Sequence, residues 1–285
     1  MATLARDGEE DLPLVAAPVP LDEVLERMAA RIDALRHTRD DRRIFLSVYA
    51  TMTSAIHRGV REGRFMDPAW TETLTAYFAA LYFDAETAWE AGDPDCPRAW
   101  QAAFAAAGTR RISAVEHALL GINAHIVYDL PFAVATTMVA RGDVHEGRLL
   151  ANVLVRRRHD YEVVNHVLAE TIEAAQAVIA AESRASAMID KLTLKLDSYA
   201  AEMMLRASRT QGWHNALALA VAADEAERDA VRQHLDRVAC GYVQRIDLTQ
   251  HLPGRRVRAA MSRWRPPFTA VFDQPPPTAT VEARR

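Results

Sequence analysis

From Leu21 onward, apolar side chains recur three and four positions apart, the spacing that gathers them on one face of a helix. Leu21, Val24, Leu25, Met28, Ile32 and Leu35 form the first stripe, which ends near His37. A second starts at Asp40-Asp41-Arg42-Arg43 and passes through Phe45, Val48, Tyr49, Met52 and Ile56 to about Gly63. Asp67-Pro68 is an N-cap followed by proline at the first helical position. It opens a third helix that reaches Glu90, with Gly92 as its stop and a wall of Trp70, Tyr77, Phe78, Tyr82, Phe83 and Trp89. GDPDCP, residues 92–97, reads as a turn, and residues 97–107 as a short helix bearing Trp100 and Phe104. Helical spacing returns from Val144 to about Ala181, over 191–206, and from Trp213 to about Val243. Strand-like alternation is absent. The pattern predicts an all-α, single-domain, multi-helix bundle.

Within that pattern, Ser113–Pro131 stands out as the central helix. Ser113 and Glu116 form a capping box that starts it, and Pro131, which cannot donate to the carbonyl of Val127, should kink or stop it near Asp129. The segment is apolar yet carries His117, Asn123, His125 and Asp129. His117, Gly121, His125 and Asp129 are four apart and share one face. His125 and Asp129 are one turn apart, whereas His117 lies roughly 12 Å from His125. Gly121 removes bulk from this face and leaves room for an approaching group.

The ends of the chain read differently. Residues 1–19 are acidic, with Pro13 and Pro18, and are expected to be a disordered leader without the apolar core of a signal peptide. Residues 251–285 are rich in proline and arginine and read as a surface or disordered tail, leaving 20–250 as the helical domain. Half of the 285 residues are hydrophobic, enough for a sizeable core, and the net charge of −4 demands neither a nucleic-acid nor a membrane partner. No uninterrupted apolar run is expected to span a bilayer. Cys96 and Cys240 have no paired spacing, so a reducing, cytoplasmic setting fits best. The alanine-rich helices could carry a dimer interface, which the sequence does not locate.

Three chemistries compete for the central face. In the first, His125/Asp129 and His166/Glu170, each one turn apart, face each other and hold a divalent metal such as Zn²⁺, which activates water for hydrolysis, for instance of a phosphoester. In the second, His125 oriented by Asp129 is a metal-free acid–base unit of a cyclase, isomerase or lyase acting on an apolar small molecule, with Asn123 or Tyr128 positioning the substrate. In the third, His117, His125 and Asp129 are a buried polar network in a non-catalytic binding protein. Arg156, Arg157 and Arg158 read as a solvated face, with arginine's fork for phosphate or carboxylate as the alternative. No glycine-rich phosphate loop, nucleophile elbow or Asp-Asp-x-x-Asp motif is present, which counts against ordinary nucleotide hydrolases, α/β-hydrolases and terpene cyclases.

Several stretches resemble an uncharacterised all-helical bacterial family known by a domain-of-unknown-function label: FLSVYATMT (45–53), GRFMDPAW (63–70), YFDA (82–85), HALLGINAHIVYDLP (117–131) and HDYEVVNHVL (159–168). That resemblance covers most of residues 20–250 and implies the fold and the positions to test, His117, Asn123, His125, Asp129, Asp160 and Asn165, but no reaction. More distantly, Gly121-x-x-x-His125-x-x-x-Asp129-x-Pro131 is similar to a segment of zinc-dependent phospholipase C and the single-strand-specific nucleases. It departs from them in having Phe132 and Ala133 where another histidine is expected soon after the proline.

Overall fold

The amphipathic stripes become helices that bury their apolar faces against one another. The structure is a computed structural model that describes residues 19–108, 112–145, 147–182 and 198–249, with side chains outside 198–204 and 244–249. Among the described residues there are eight helices: α1 Leu21–Thr38, α2 Arg42–Arg61, α3 Pro68–Ala91, α4 Arg98–Ala107, α5 Ala114–Ala140, α6 Ala151–Glu182, α7 Ser198–Val221 and α8 Glu225–Thr249. They pack as one bundle, within a unit that runs to Ile246. The expected leader up to residue 18, residues 191–197 and the tail from 251 lie outside the described residues.

The start signals act as their chemistry requires. Asp67 accepts from the backbone N–H of Trp70 at 3.0 Å, and Pro68 occupies the position where no N–H is needed. Ser113 and Glu116 cap each other reciprocally at the head of α5. Gly92, at φ 68°, ends α3 in the left-handed conformation that side-chain-bearing residues rarely adopt.

The core is centred on α5. α2 lies between α1 and α6, and the C-terminal half of α5 packs on α3 and α7. Trp70, Tyr82, Trp100 and Tyr161 are fully buried, each removing an aromatic surface from water worth at least about 2 kcal/mol.

Two expectations change. Val144 does not begin a helix: Val144–His145 pairs antiparallel with Arg148–Leu149, and α6 starts only at Ala151. Gly142 and Gly147, at φ 69° and 68°, supply the positive φ angles of this small hairpin. The expectation about apolar runs is refined: Glu116, His117, Asn123, His125 and Asp129 interrupt α5, yet by length and composition alone its 27 residues are long and apolar enough to cross a membrane. Its apolar window is 78% buried inside the bundle, so the hydrophobicity that would suit a bilayer here suits a largely buried core helix.

Candidate functional site

Pro131 neither stops nor sharply breaks α5. The missing donor is absorbed by a π-helical turn, Ala124–Asp129, between the α-helical halves Ala114–Asn123 and Leu130–Ala140. Within it the N–H of Leu130 reaches back five residues to the carbonyl of His125. The turn carries both His125 and Asp129.

His125 Nδ1 lies 2.9 Å from Asp129 Oδ2, and the indole N–H of Trp100 donates to the same oxygen at 2.8 Å. Trp100 thus holds the carboxyl, and the carboxyl holds the ring. Phe78 stacks on the imidazole with centroids 3.5 Å apart and planes 9° from parallel, and Tyr49 meets it edge-on at 4.3 Å. Phe45 closes the box at 5.8 Å. His125 and Asp129 are each 2% exposed, so a molecule reaches the ring only after a side chain moves.

Burial sets the proton content of this pair. Desolvation, assisted by the positive charge of Arg209, drives the basicity of His125 well below that of free imidazole. Desolvation likewise raises the Asp129 carboxyl well above the usual range; the Trp100 hydrogen bond opposes this and the Asp84 charge adds to it. Both shifts favour a net-neutral pair, in which one titratable proton lies between Asp129 Oδ2 and His125 Nδ1. In that net-neutral state, whichever atom carries the shared proton, Nε2 of His125 keeps its own hydrogen. Nε2 is buried and has no hydrogen-bond partner. The hydroxyls of Tyr49 and Thr53 lie near one another, also buried, without a well-formed bond.

The other expected site residues are distributed around this centre. Asn123 donates to the carbonyl of Ala239 at 3.0 Å and ties α5 to α8. His117 is buried near Asp41, 3.9 Å from its carboxylate, in a separate cluster with Arg43 and Glu182. Tyr128 lines a surface pocket of about 370 Å³ with Cys96, Arg98 and Arg232; neither His125 nor Asp129 lines it. Asp160 is wholly buried and accepts the backbone N–H groups of Met66 and Asp67 at 2.8 and 2.7 Å, fixing the approach to α3. Arg157 is no solvated residue. It grips Asp143 through two hydrogen bonds, at 2.8 and 3.0 Å, and also pairs with Asp67. Asn165 donates to Glu162 and accepts from Arg209.

The four-ligand metal set is not brought together. His166 is exposed and hydrogen-bonded to the backbone of Glu162, and Glu170 is exposed and paired with Arg64, whereas His125 and Asp129 are buried. Among the described residues no group of three or more His, Cys, Asp or Glu side chains is placed to hold a metal ion.

Gly121 has a different use from the one its face suggests. A Cβ there would lie 2.3 Å from Cγ of Phe45, so the space it leaves is filled by the ring that walls His125. Trp100, Phe78 and Tyr49 were legible as core aromatics but not as parts of the site, because their partners come from other helices. Arg209 was missed altogether. Its signal was a cation on the buried stripe of α7 that also carries Gly212, Trp213 and Ala216.

No curated protein and no solved structure matches this chain, and the likeness to phospholipase C and the single-strand-specific nucleases finds no support. The model of a family of unknown function, DUF5995, matches residues 21–247. With most of its length so matched, this all-helical chain belongs to the DUF5995 family.

Proposed function

We propose that this protein is a small-molecule enzyme that works without a metal, with His125 as general acid and Asp129 as its proton reservoir. The observation that carries this reading is the buried, unpartnered Nε2 of His125, opposite an Nδ1 fixed by Asp129 and Trp100. A buried donor without an acceptor costs about 1–3 kcal/mol, an expense that a bound acceptor removes.

The chemistry follows from the proton count. A carbonyl or leaving-group oxygen of the substrate accepts the Nε2 proton. The proton held with Asp129 then rests on Nδ1, so the imidazole stays neutral and the carboxylate takes the negative charge. Trp100 donates to that carboxylate and stabilises it. Phe78, Tyr49 and Phe45 exclude water from the transfer and offer an apolar wall to the substrate. This suits isomerisation, cyclisation or elimination on an apolar molecule.

The test is mass spectrometry of a small-molecule extract from the native cells, incubated with wild type, His125→Gln or Asp129→Asn, each with a chelator present. The reading expects conversions made by wild type and lost in both variants. An extract left unchanged by wild type, or conversions that survive in Asp129→Asn, would remove it.

A further inference from the structure

Arg209 is 2% exposed, and no carboxylate pairs with it among the described residues. Its Nε donates to the amide oxygen of Asn165, its guanidinium carbon lies 4.5 Å from the ring centre of Tyr161, and its buried Nη2 has no partner. The carboxylate of Glu162 is already engaged by Arg158 and by the amide of Asn165. Arg158 also lies over Tyr161, at 5.7 Å. Two guanidinium groups and one carboxylate leave this cluster with one positive charge in excess. A buried cation without a counterion is among the most expensive things a fold can hold, and Asn165 and an aromatic face offset only part of the cost.

Arg209 is carried by the helix that packs against the dyad's turn. One turn along α7, a Cβ on Gly212 would lie 3.7 Å from the carbonyl of Ile126 and 3.3 Å from the side chain of Leu130, so α7 is packed directly on the π-helical turn. The influence of Arg209 on the basicity of His125 agrees with that placement. Nη2 of Arg209 and Nε2 of His125 are thus two orphaned nitrogens in one interior, and in the net-neutral pair proposed above both are donors. What is missing among the described residues is an acceptor with one negative charge.

We propose that Arg209 is the anion-recognising residue of this site and holds the carboxylate of a small apolar molecule whose remaining acceptor meets Nε2 of His125. The proposal rests on the reading of His125 given above and adds the substrate class to it. A carboxylate matches the single excess charge and the planar fork of arginine, and the aromatic side chains around His125 favour an apolar body once one of them moves aside. The bound molecule supplies the counterion that Arg209 does not find among the described residues.

Benzoate is the direct probe, with benzamide as its uncharged shape and inorganic phosphate as the competing anion, measured by calorimetric titration of the full chain. Wild type is expected to bind benzoate and not benzamide. In Arg209→Gln the amide nitrogen stands where Nε was, so the donor to Asn165 survives while the charge is lost. Benzoate binding should then weaken at least thirtyfold. His125→Gln should weaken it by about tenfold; unchanged benzoate affinity in that variant with a loss in Arg209→Gln would keep the anion site and reject the dyad as its neighbour. Equal binding of benzoate and benzamide by wild type overturns the proposal without need of any variant. So does undiminished benzoate binding in Arg209→Gln, or a wild type that binds phosphate alone or none of the three.

Discussion

Replacing Gly121 with alanine tests whether the aromatic box is packed as tightly as the structure shows. The added Cβ would stand 2.3, 2.4 and 2.7 Å from Cγ, Cδ2 and Cβ of Phe45, where unstrained carbons sit about 3.5–4.0 Å apart. Phe45 must retreat by more than an ångström. It is hemmed in by Tyr49, Tyr82, Trp100 and His125, all with ring centres within 5.8 Å. Overpacking of this kind costs roughly 1–3 kcal/mol, and with backbone shifts more. Alanine returns about 1 kcal/mol of helix propensity over glycine. A collision this close should exceed that gain and leave a net loss of about 1–2 kcal/mol, or about 2–8 °C in Tm for a domain of this size. Near-UV circular dichroism should change along with the melting curve, because the displaced ring touches two tyrosines and a tryptophan. Phe45→Leu in the Gly121→Ala background should recover part of the loss, a coupling of about 1 kcal/mol in a double-mutant cycle. A Gly121→Ala protein as stable as wild type, or additive effects of the two changes, would refute the packing argument.

Trp100→Phe removes the indole donor to Asp129, and should cost about 1–3 kcal/mol in urea unfolding while driving the carboxyl to hold its proton more strongly; infrared difference spectra against Asp129→Asn would reveal the protonated carboxyl, and a variant as stable as wild type would contradict the geometry. The stability of wild type relative to Asp129→Asn has a defined sign with pH. The folded carboxyl is raised above its unfolded value, so its contribution is present below about pH 4 and falls by up to about 1.4 kcal/mol per pH unit above it; a difference that grows with pH would show that Asp129 is ionised in the fold. Arg157→Met strands the buried carboxylate of Asp143 and should cost about 3–5 kcal/mol by denaturant titration, where a loss below 1 kcal/mol would mean that the pair is open to water. Dialysis against a chelator should leave Tm unchanged, since no donor set among the described residues is assembled to hold an ion; a clear drop would restore the metal reading.

Local signals fixed the helices well and the site only in part. Asp67-Pro68 and Ser113/Glu116 are self-contained instructions, since capping joins a side chain to a backbone three residues away. His125 and Asp129 met for the same reason: their contact spans one helical turn. Gly121 was misread because spacing shows that a gap exists but not what fills it, and Phe45 comes from another helix. His166 and Glu170 also stand one turn apart, yet Glu170 is claimed by Arg64, 106 residues away in the chain. Proline at 131 correctly marked a disturbance, but its outcome as a π turn depended on neighbours that keep the helix continuous on both sides. That no carboxylate among the described residues pairs with Arg209 could be seen only once the helices were packed together, because its neighbours come from other helices.

The central claim is that His125 is a neutral-pair imidazole whose Nε2 bears a hydrogen. Nitrogen-15 NMR of the histidine rings, from pH 5 to 8, reads this directly, with His125→Gln supplying the assignment. The account predicts that the Nε2 of His125 appears as a protonated ring nitrogen whose shift does not move across that range, and that its hydrogen exchanges slowly with water. A ring that titrates near pH 6.5 like free histidine, or an Nε2 that appears as a bare acceptor, would contradict it.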